Sequence, residues 1–281
     1  MIMKTLTLPN GDEISYLDEL TALWVYNEIF VDNEYLKHGI NVKEGDFVFD
    51  VGANIGIFSR FIAKQAPNLK IFAFEPIEPI FTVLKANVRG LPCFIKTFNI
   101  GLAEKAKTIE FFYYPNVSAD STAVPFDLDL KVDLYVKNYK EAVCKDKPIA
   151  RIVPKFLRKR VVKSALKKTY RSEKVICQLK PLSDIIKENN VDQIDLLKID
   201  AENYERQVLA GISDEHWKII KQISIEVHEH IKGGENLLNE VIQLLENKHF
   251  EVHVGEENVS TKLGVFMVYA KKIDLFNNNN F

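Results

Sequence analysis

A chain of 281 residues with 47% hydrophobic content has enough apolar material for a full core, in one large or two small domains. Its formal net charge of -2 gives no overall pull on nucleic acid, and no apolar run approaches the roughly 18 residues of a membrane span. Residues 1–9 lack a secretory pattern, and Cys93, Cys144 and Cys177 lie too far apart for a zinc site, so buried thiols in a cytoplasmic setting are expected.

In chain order, residues 4–17 alternate around Asn10-Gly11, the signature of a hairpin. Residues 18–38 read as a helix with Leu20, Leu23, Trp24, Ile29, Tyr35 and Leu36 as apolar positions. Residues 1–45 thus form an N-terminal hairpin and cap. Residues 46–114 read as the ligand-binding half of a sheet: strand 46–51, helix 56–66, strand 70–75, helix 78–89, strand 94–100 and strand 107–114. The alternation then breaks. Residues 145–174 hold twelve Lys or Arg and only two acids, Asp146 and Glu173. Phe156, Leu157, Val161, Val162, Ala165, Leu166 and Tyr170 share one helical face there, so 115–180 is expected to be an insertion or lid with a basic amphipathic helix. Its charge suits an acidic carrier protein, a phosphate group or a membrane surface; nucleic acid lacks a stacking platform. Residues 181–274 resume as helix 181–189, strand 194–200, helix 203–210, strand 222–228, helix 235–247 and strands near 250–254 and 264–270. Residues 275–281 read as a disordered tail. Alternating helices and strands predict an α/β fold, a mostly parallel sheet with helices on both faces.

The chemistry starts at the first long strand. Phe47-Val48-Phe49-Asp50-Val51 is a buried-strand run, and Gly52 and Gly56 after it open a helix and let a ligand lie against bare amides. The spacing is not that of a dinucleotide fingerprint. Glu75, at the tip of the second strand, can accept both hydroxyls of a ribose. Together these fit an adenosine ligand without a pyrophosphate, such as S-adenosylmethionine (SAM). Asp50, Glu75, Asp200, Glu226 and His228 all fall on strand tips and converge. Methyl transfer to a hydroxyl needs alignment and a base, and His228, supported by Asp200 and Glu226, is the candidate. His230 is its near neighbour, while His38, His216, His249 and His253 read as structural. The same three residues have the chemistry of a divalent-metal site, but a metal-free mechanism is expected.

Four stretches carry a resemblance: residues 46–56 (Asp-Phe-Val-Phe-Asp-Val-Gly-Ala-Asn-Ile-Gly), 72–76 (Phe-Ala-Phe-Glu-Pro), 195–202 (Asp-Leu-Leu-Lys-Ile-Asp-Ala-Glu) and 225–229 (Ile-Glu-Val-His-Glu). In this order and spacing the chain resembles the FkbM-type SAM-dependent methyltransferases over nearly its whole length. Residues 33–40, 113–118 and 177–184 are more closely similar to the O-methyltransferase domains of polyketide and nonribosomal-peptide assembly lines. The resemblance implies a Rossmann-like class I methyltransferase with a seven-stranded sheet, SAM as donor, and a hydroxyl acceptor, small or carrier-tethered. The candidate cofactor residues are then Asp50, Gly52, Asn54, Gly56, Glu75, Gly101, Leu102 and Tyr35, with the turn at 101–103 bordering the adenine. Many members carry Gly after the acid at Glu202, where this chain has Asn203. The rival readings are an N-methyltransferase and a non-catalytic binding module that uses the basic helix.

Overall fold

The computed structural model describes residues 4–125, 127–145, 147–229 and 234–273. The chain opens with β1 (Lys4–Thr7) and β2 (Glu13–Tyr16), an antiparallel hairpin in which Leu6 pairs with Ile14 and Gly11 turns the chain at φ 86°. α1 (Glu19–Tyr26) begins where the Asp18 carboxylate accepts the Thr21 amide, and it ends in a π-turn, Asn27–Val31. The helix expected over 18–38 stops there because Asn33 and His38 adopt positive φ, which a right-handed helix excludes. Leu20 is 81% exposed rather than a core position.

The central elements follow as β3 (Phe47–Val51), α2 (Ile57–Ile62), β4 (Lys70–Phe74), α3 (Glu78–Val88), β5 (Phe94–Phe98), β6 (Gly101–Leu102) and β7 (Lys107–Tyr113). Then come α4 (Leu128–Lys137), α5 (Tyr139–Ala142), α6 (Lys155–Thr169), β8 (Glu173–Lys180) and α7 (Leu182–Glu188). The chain closes with β9 (Leu196–Ile199), α8 (Glu205–Ala210), α9 (Asp214–Trp217), β10 (Gln222–His228), α10 (Leu237–Asn247), β11 (Phe250–Val254), α11 (Val259–Lys262) and β12 (Val265–Lys272).

Seven strands make the main sheet, in the order β11-β12-β10-β9-β3-β4-β5. The pairs from β10 through β5 are parallel, and β12 runs antiparallel to both its neighbours. This is the Rossmann-like class I methyltransferase arrangement the sequence leads one to expect. Strand residues alternate between two cores. Val48, Ile71 and Leu196 pack with Tyr26, Ile62 and Val83 on one face. Phe49, Phe74, Leu197 and Ile225 pack with Ile185, Val208 and Val241 on the other. Burial on both faces is why these strands read as unbroken apolar runs. The chain steps outward from β3 to β5, then returns to lay β9 along the opposite side of β3. That reversal leaves a crevice beyond the carboxyl ends of β3 and β9, where such sheets take ligands.

The insertion differs from expectation. β7 is not part of the main sheet: it pairs antiparallel with β8, which also runs parallel to β6, in a separate three-stranded sheet. Residues 173–180, the end of the expected 115–180 insertion, are therefore strand. Cys177 and Leu179 are buried while Ile176 is 72% exposed, the period-two pattern of a half-buried strand. The helical part has its own small core of Val132, Tyr139, Cys144, Val162 and Leu166. Only Val162 and Leu166 of the expected α6 face are buried, and Phe156 is 83% exposed. Of the three free thiols, Cys144 and Cys177 are buried, whereas Cys93 is partly exposed. The expected tail at 275–281 lies outside the described residues. Among those described, no helix is long and apolar enough to cross a membrane.

Candidate active site

A cleft of roughly 970 Å³, counted out to its open mouth, occupies the crevice. Six of the eight expected cofactor residues line it: Tyr35, Gly52, Asn54, Glu75, Gly101 and Leu102. Asp50 and Gly56 serve it from beneath. Asp50, fully buried in β3, accepts a hydrogen bond from the Ser59 hydroxyl at 2.7 Å. Gly56, at φ 86°, lets α2 lie against α3, since a Cβ there would stand 2.8 Å from the Leu84 side chain.

The glycine turn works differently from its expected role. The amides of Gly52 and Ala53 both donate to the Phe74 carbonyl, at 3.1 and 2.9 Å, and the Gly56 amide donates to Ala53. None of these three amides faces the cleft bare, because all are spent joining β3 to β4 and closing the turn. Gly52 is required for a second reason. At φ 71° its missing Cβ leaves room for the Asp200 carbonyl, which a Cβ would meet at 1.7 Å. The tips of β3 and β9 can therefore close on each other.

Lys198 completes this floor. It is the polar interruption in the apolar run of β9, and sequence reasoning assigned it no role. Its ammonium donates to the Gly52 carbonyl at 2.8 Å and pairs with Asp50 at 3.2 Å and Asp200 at 3.6 Å. Burial works to discharge it, but the Asp50 and Asp200 carboxylates outweigh burial and hold it above the ordinary lysine range.

Glu75 sits at the tip of β4, where expected. Burial pushes its carboxyl up to about 7, against the pull of the Ile77 and Asn54 amides that donate to it. A buried carboxylate lining a cleft and held only by backbone donors has acceptor capacity left for the two hydroxyls of a ribose. Leu102 and Phe74, also in the lining, supply apolar surface for a purine. The residues present thus fit an adenosine ligand.

Acids crowd another part of the cleft: Glu28, Asp200, Glu202 and Glu226 all line it. The Tyr35 hydroxyl bridges two of them, at 3.0 Å from Asp200 and 3.4 Å from Glu226. Burial, then the repulsion of Glu226 and Asp200, drives the Glu28 carboxyl well above the ordinary range. Burial likewise raises Asp200, despite Lys198, and raises Glu202 strongly, despite His228. Asn203 stands where the resemblance leads one to expect glycine. It adopts φ 70°, next to Glu202 at φ 45°, and Asn tolerates the left-handed region better than other side chains.

His228 lies behind these acids rather than in the cleft lining. Its Nε2 is 3.2 Å from Glu226 and 3.5 Å from Glu202, and its Nδ1 is 2.9 Å from the fully buried Glu205. Burial opposes a charge on the ring, yet Glu202 and Glu205 overcome it and hold the imidazole well above its ordinary pKa. Its neighbouring acids thus favour the protonated ring. Glu205, which positions it, has no signal in the sequence beyond being an acid in a helix start. His230 lies outside the described residues.

The sequence profile described as methyltransferase FkbM domain matches residues 50–252. The 31-O-demethyl-FK506 methyltransferase FkbM of Streptomyces tacrolimicus is 31% identical over 96% of this chain and 98% of its own length. Methyltransferase sdnD of Sordaria araneosa is 31% identical over 89% of this chain and 91% of its own. The AMB antimetabolite synthetase AmbE of Pseudomonas aeruginosa is 33% identical over 94% of this chain, which spans only 12% of that protein.

Proposed function

The chain belongs to the FkbM methyltransferase family, and from that premise we propose that it methylates a hydroxyl oxygen of a natural-product acceptor, free or tethered to a carrier. The observation that carries the reading is one cleft lined both by Glu75, suited to a ribose, and by the acids Asp200, Glu202 and Glu226, suited to a hydroxyl about to lose its proton. When bound, SAM supplies a methyl carbon made electrophilic by its sulfonium. Glu75 takes the ribose hydroxyls, and Leu102 and Phe74 flank the base. The floor built from Gly52, Lys198 and Asp50 holds the β3 and β9 tips in register, so that the acceptor meets the donor in line.

Glu202 is the group to receive the proton. It lines the cleft, and burial raises it well above the ordinary carboxylate range, so it holds a proton more strongly than a free carboxylate does. His228 orients Glu202 and Glu226 through its Nε2, 3.5 and 3.2 Å from them. Carrier delivery is supported by α6, which has seven Lys or Arg and no acid and so suits an acidic carrier surface. AmbE, the relative in which this length of chain is a small part, is a synthetase by name. The test is incubation with isotope-labelled SAM and a panel of hydroxyl acceptors, free and carrier-bound, followed by mass spectrometry. Label on oxygen supports the reading. Label only on nitrogen overturns it.

A further inference from the structure

We propose that Asp200, Glu226 and His228 form a binding site for one divalent cation of the magnesium or manganese type, placed to hold the acceptor oxygen. The three offer one ligand atom each, and these atoms lie within 4.8 Å of one another. Ligands about 2.1 Å from an ion stand at most about 4.2 Å apart, so side-chain shifts below about 1 Å close the site. The backbone needs no change. Asp200 and Glu226 project from the ends of adjacent parallel strands, whose register is set by Ile199 opposite Ile225.

Two observations separate this cluster from a mere gathering of acids. The first is the imidazole's support. Glu205, with no solvent exposure, holds His228 Nδ1 at 2.9 Å, while Nε2 faces Glu226 at 3.2 Å. A histidine whose far nitrogen is tied to a buried carboxylate is the usual outer arrangement of a metal ligand. The second is an unfilled position: Asp200 Oδ1 is buried and has no hydrogen-bond partner among the described residues, although Tyr35 bonds its other oxygen. Charge points the same way. Lys198 is held closest by Asp50 and the Gly52 carbonyl, and its 3.6 Å approach to Asp200 is to Oδ2, which leaves Oδ1 open. An ion at Nε2 takes the place of the proton there. Two carboxylates and one imidazole suit manganese or magnesium better than a thiolate-seeking metal.

The role, which rests on the methyltransferase reading, follows from position. An acceptor hydroxyl on the ion is more acidic, and Glu202 takes its proton as the oxygen–carbon bond forms and the carbon–sulfur bond breaks. S-adenosylhomocysteine then leaves.

The experiment is calorimetric titration of the chelator-treated full chain with MnCl2, without SAM or acceptor, with electron paramagnetic resonance to count bound ions. One saturable ion per chain is expected, weakened at least tenfold in His228→Gln and about tenfold or more in Glu205→Gln. Glu188→Gln, on an exposed surface pair, is expected to leave it unchanged. If His228→Gln fails to fold, as read by circular dichroism, Asp200→Asn gives the same reading. Weak binding of several ions, no binding, or binding indifferent to these substitutions overturns the inference. A separate titration with SAM keeps the two conclusions apart. SAM heat without manganese heat removes the cation site alone, whereas no SAM heat removes the functional reading.

Discussion

Replacing Lys198 by Met removes the charge and keeps most of the volume, so its effect isolates the ammonium. In the native protein that ammonium lies 3.2 Å from Asp50 Oδ1 and 3.6 Å from Asp200, and it donates to the Gly52 carbonyl at 2.8 Å. Asp50 has no solvent exposure, and the Ser59 hydroxyl serves only its other oxygen. The substitution therefore strands a buried carboxylate and a buried carbonyl. Breaking a buried ion pair from one side costs about 3–5 kcal/mol, a large part of the roughly 5–15 kcal/mol that holds a domain folded. In urea, with a slope near 3 kcal/mol/M, the midpoint is expected to fall by about 1–1.7 M. Adding Asp50→Asn to Lys198→Met removes the stranded charge and should recover at least half of the loss. The assay is equilibrium urea unfolding of wild type, both single variants and the double variant, followed by tryptophan fluorescence. A single-variant loss below about 1 kcal/mol, or a double variant no better than Lys198→Met, would refute the placement of Lys198 as the keystone of the floor.

Four further outcomes can be checked. Glu75→Gln removes charged hydrogen bonds to the ribose worth about 1.5–3 kcal/mol, so SAM binds about 10- to 150-fold more weakly in calorimetry; an unchanged affinity removes Glu75 from the ribose site. Glu75 is held at about 7, above its ordinary 4.5, so the native state binds a proton more readily than the unfolded chain. Stability of the empty protein should fall as pH rises from about 4.5 to about 7 on this account, while SAM affinity rises over the same window because ribose donors favour the carboxylate. Gly52→Ala must place a Cβ 1.7 Å from the Asp200 carbonyl at φ 71°. Strain of about 1–2 kcal/mol for the left-handed backbone and about 1–3 kcal/mol for overpacking should lower the thermal midpoint and weaken SAM binding together. Reversing Lys155, Arg160 and Lys167, all exposed on α6, to Glu should abolish capture by an acidic carrier protein while leaving turnover of a free acceptor intact.

The main sheet was legible because its strands are buried on both faces and so announce themselves as apolar runs. Gly52, Gly56 and Glu75 were legible because a tight turn and a strand tip restrict residue type. Their reasons were less so. Gly52 serves a neighbouring strand's carbonyl, and that neighbour, β9, lies almost 150 residues away in the chain. Lys198 and Glu205 escaped for the same cause: each acts through a partner brought in by the fold, Asp50 for one and His228 for the other. His228 was found by its strand-tip position, but its charge depends on Glu202 and Glu205, which no local pattern reveals. The 173–180 strand was hidden by the basic run before it, which drew the eye to helical periodicity and away from the alternation of Val175, Cys177 and Leu179.

The excursion between β7 and β8 leaves the body of the enzyme at Tyr113 and comes back at Glu173, two residues paired side by side on the same small sheet. Its two ends are thus already stapled, and the segment between them carries its own apolar nucleus. Lengthening, shortening or exchanging that excursion changes the closure cost by only a fraction of a kcal/mol for modest changes in length. Since Ser118, Ala119 and Ser121 at its near end reach the wall of the cleft, the excursion behaves as a cassette. Exchanging it would recast that wall while Gly52, Asn54 and Glu75, which lie outside it, stay in place.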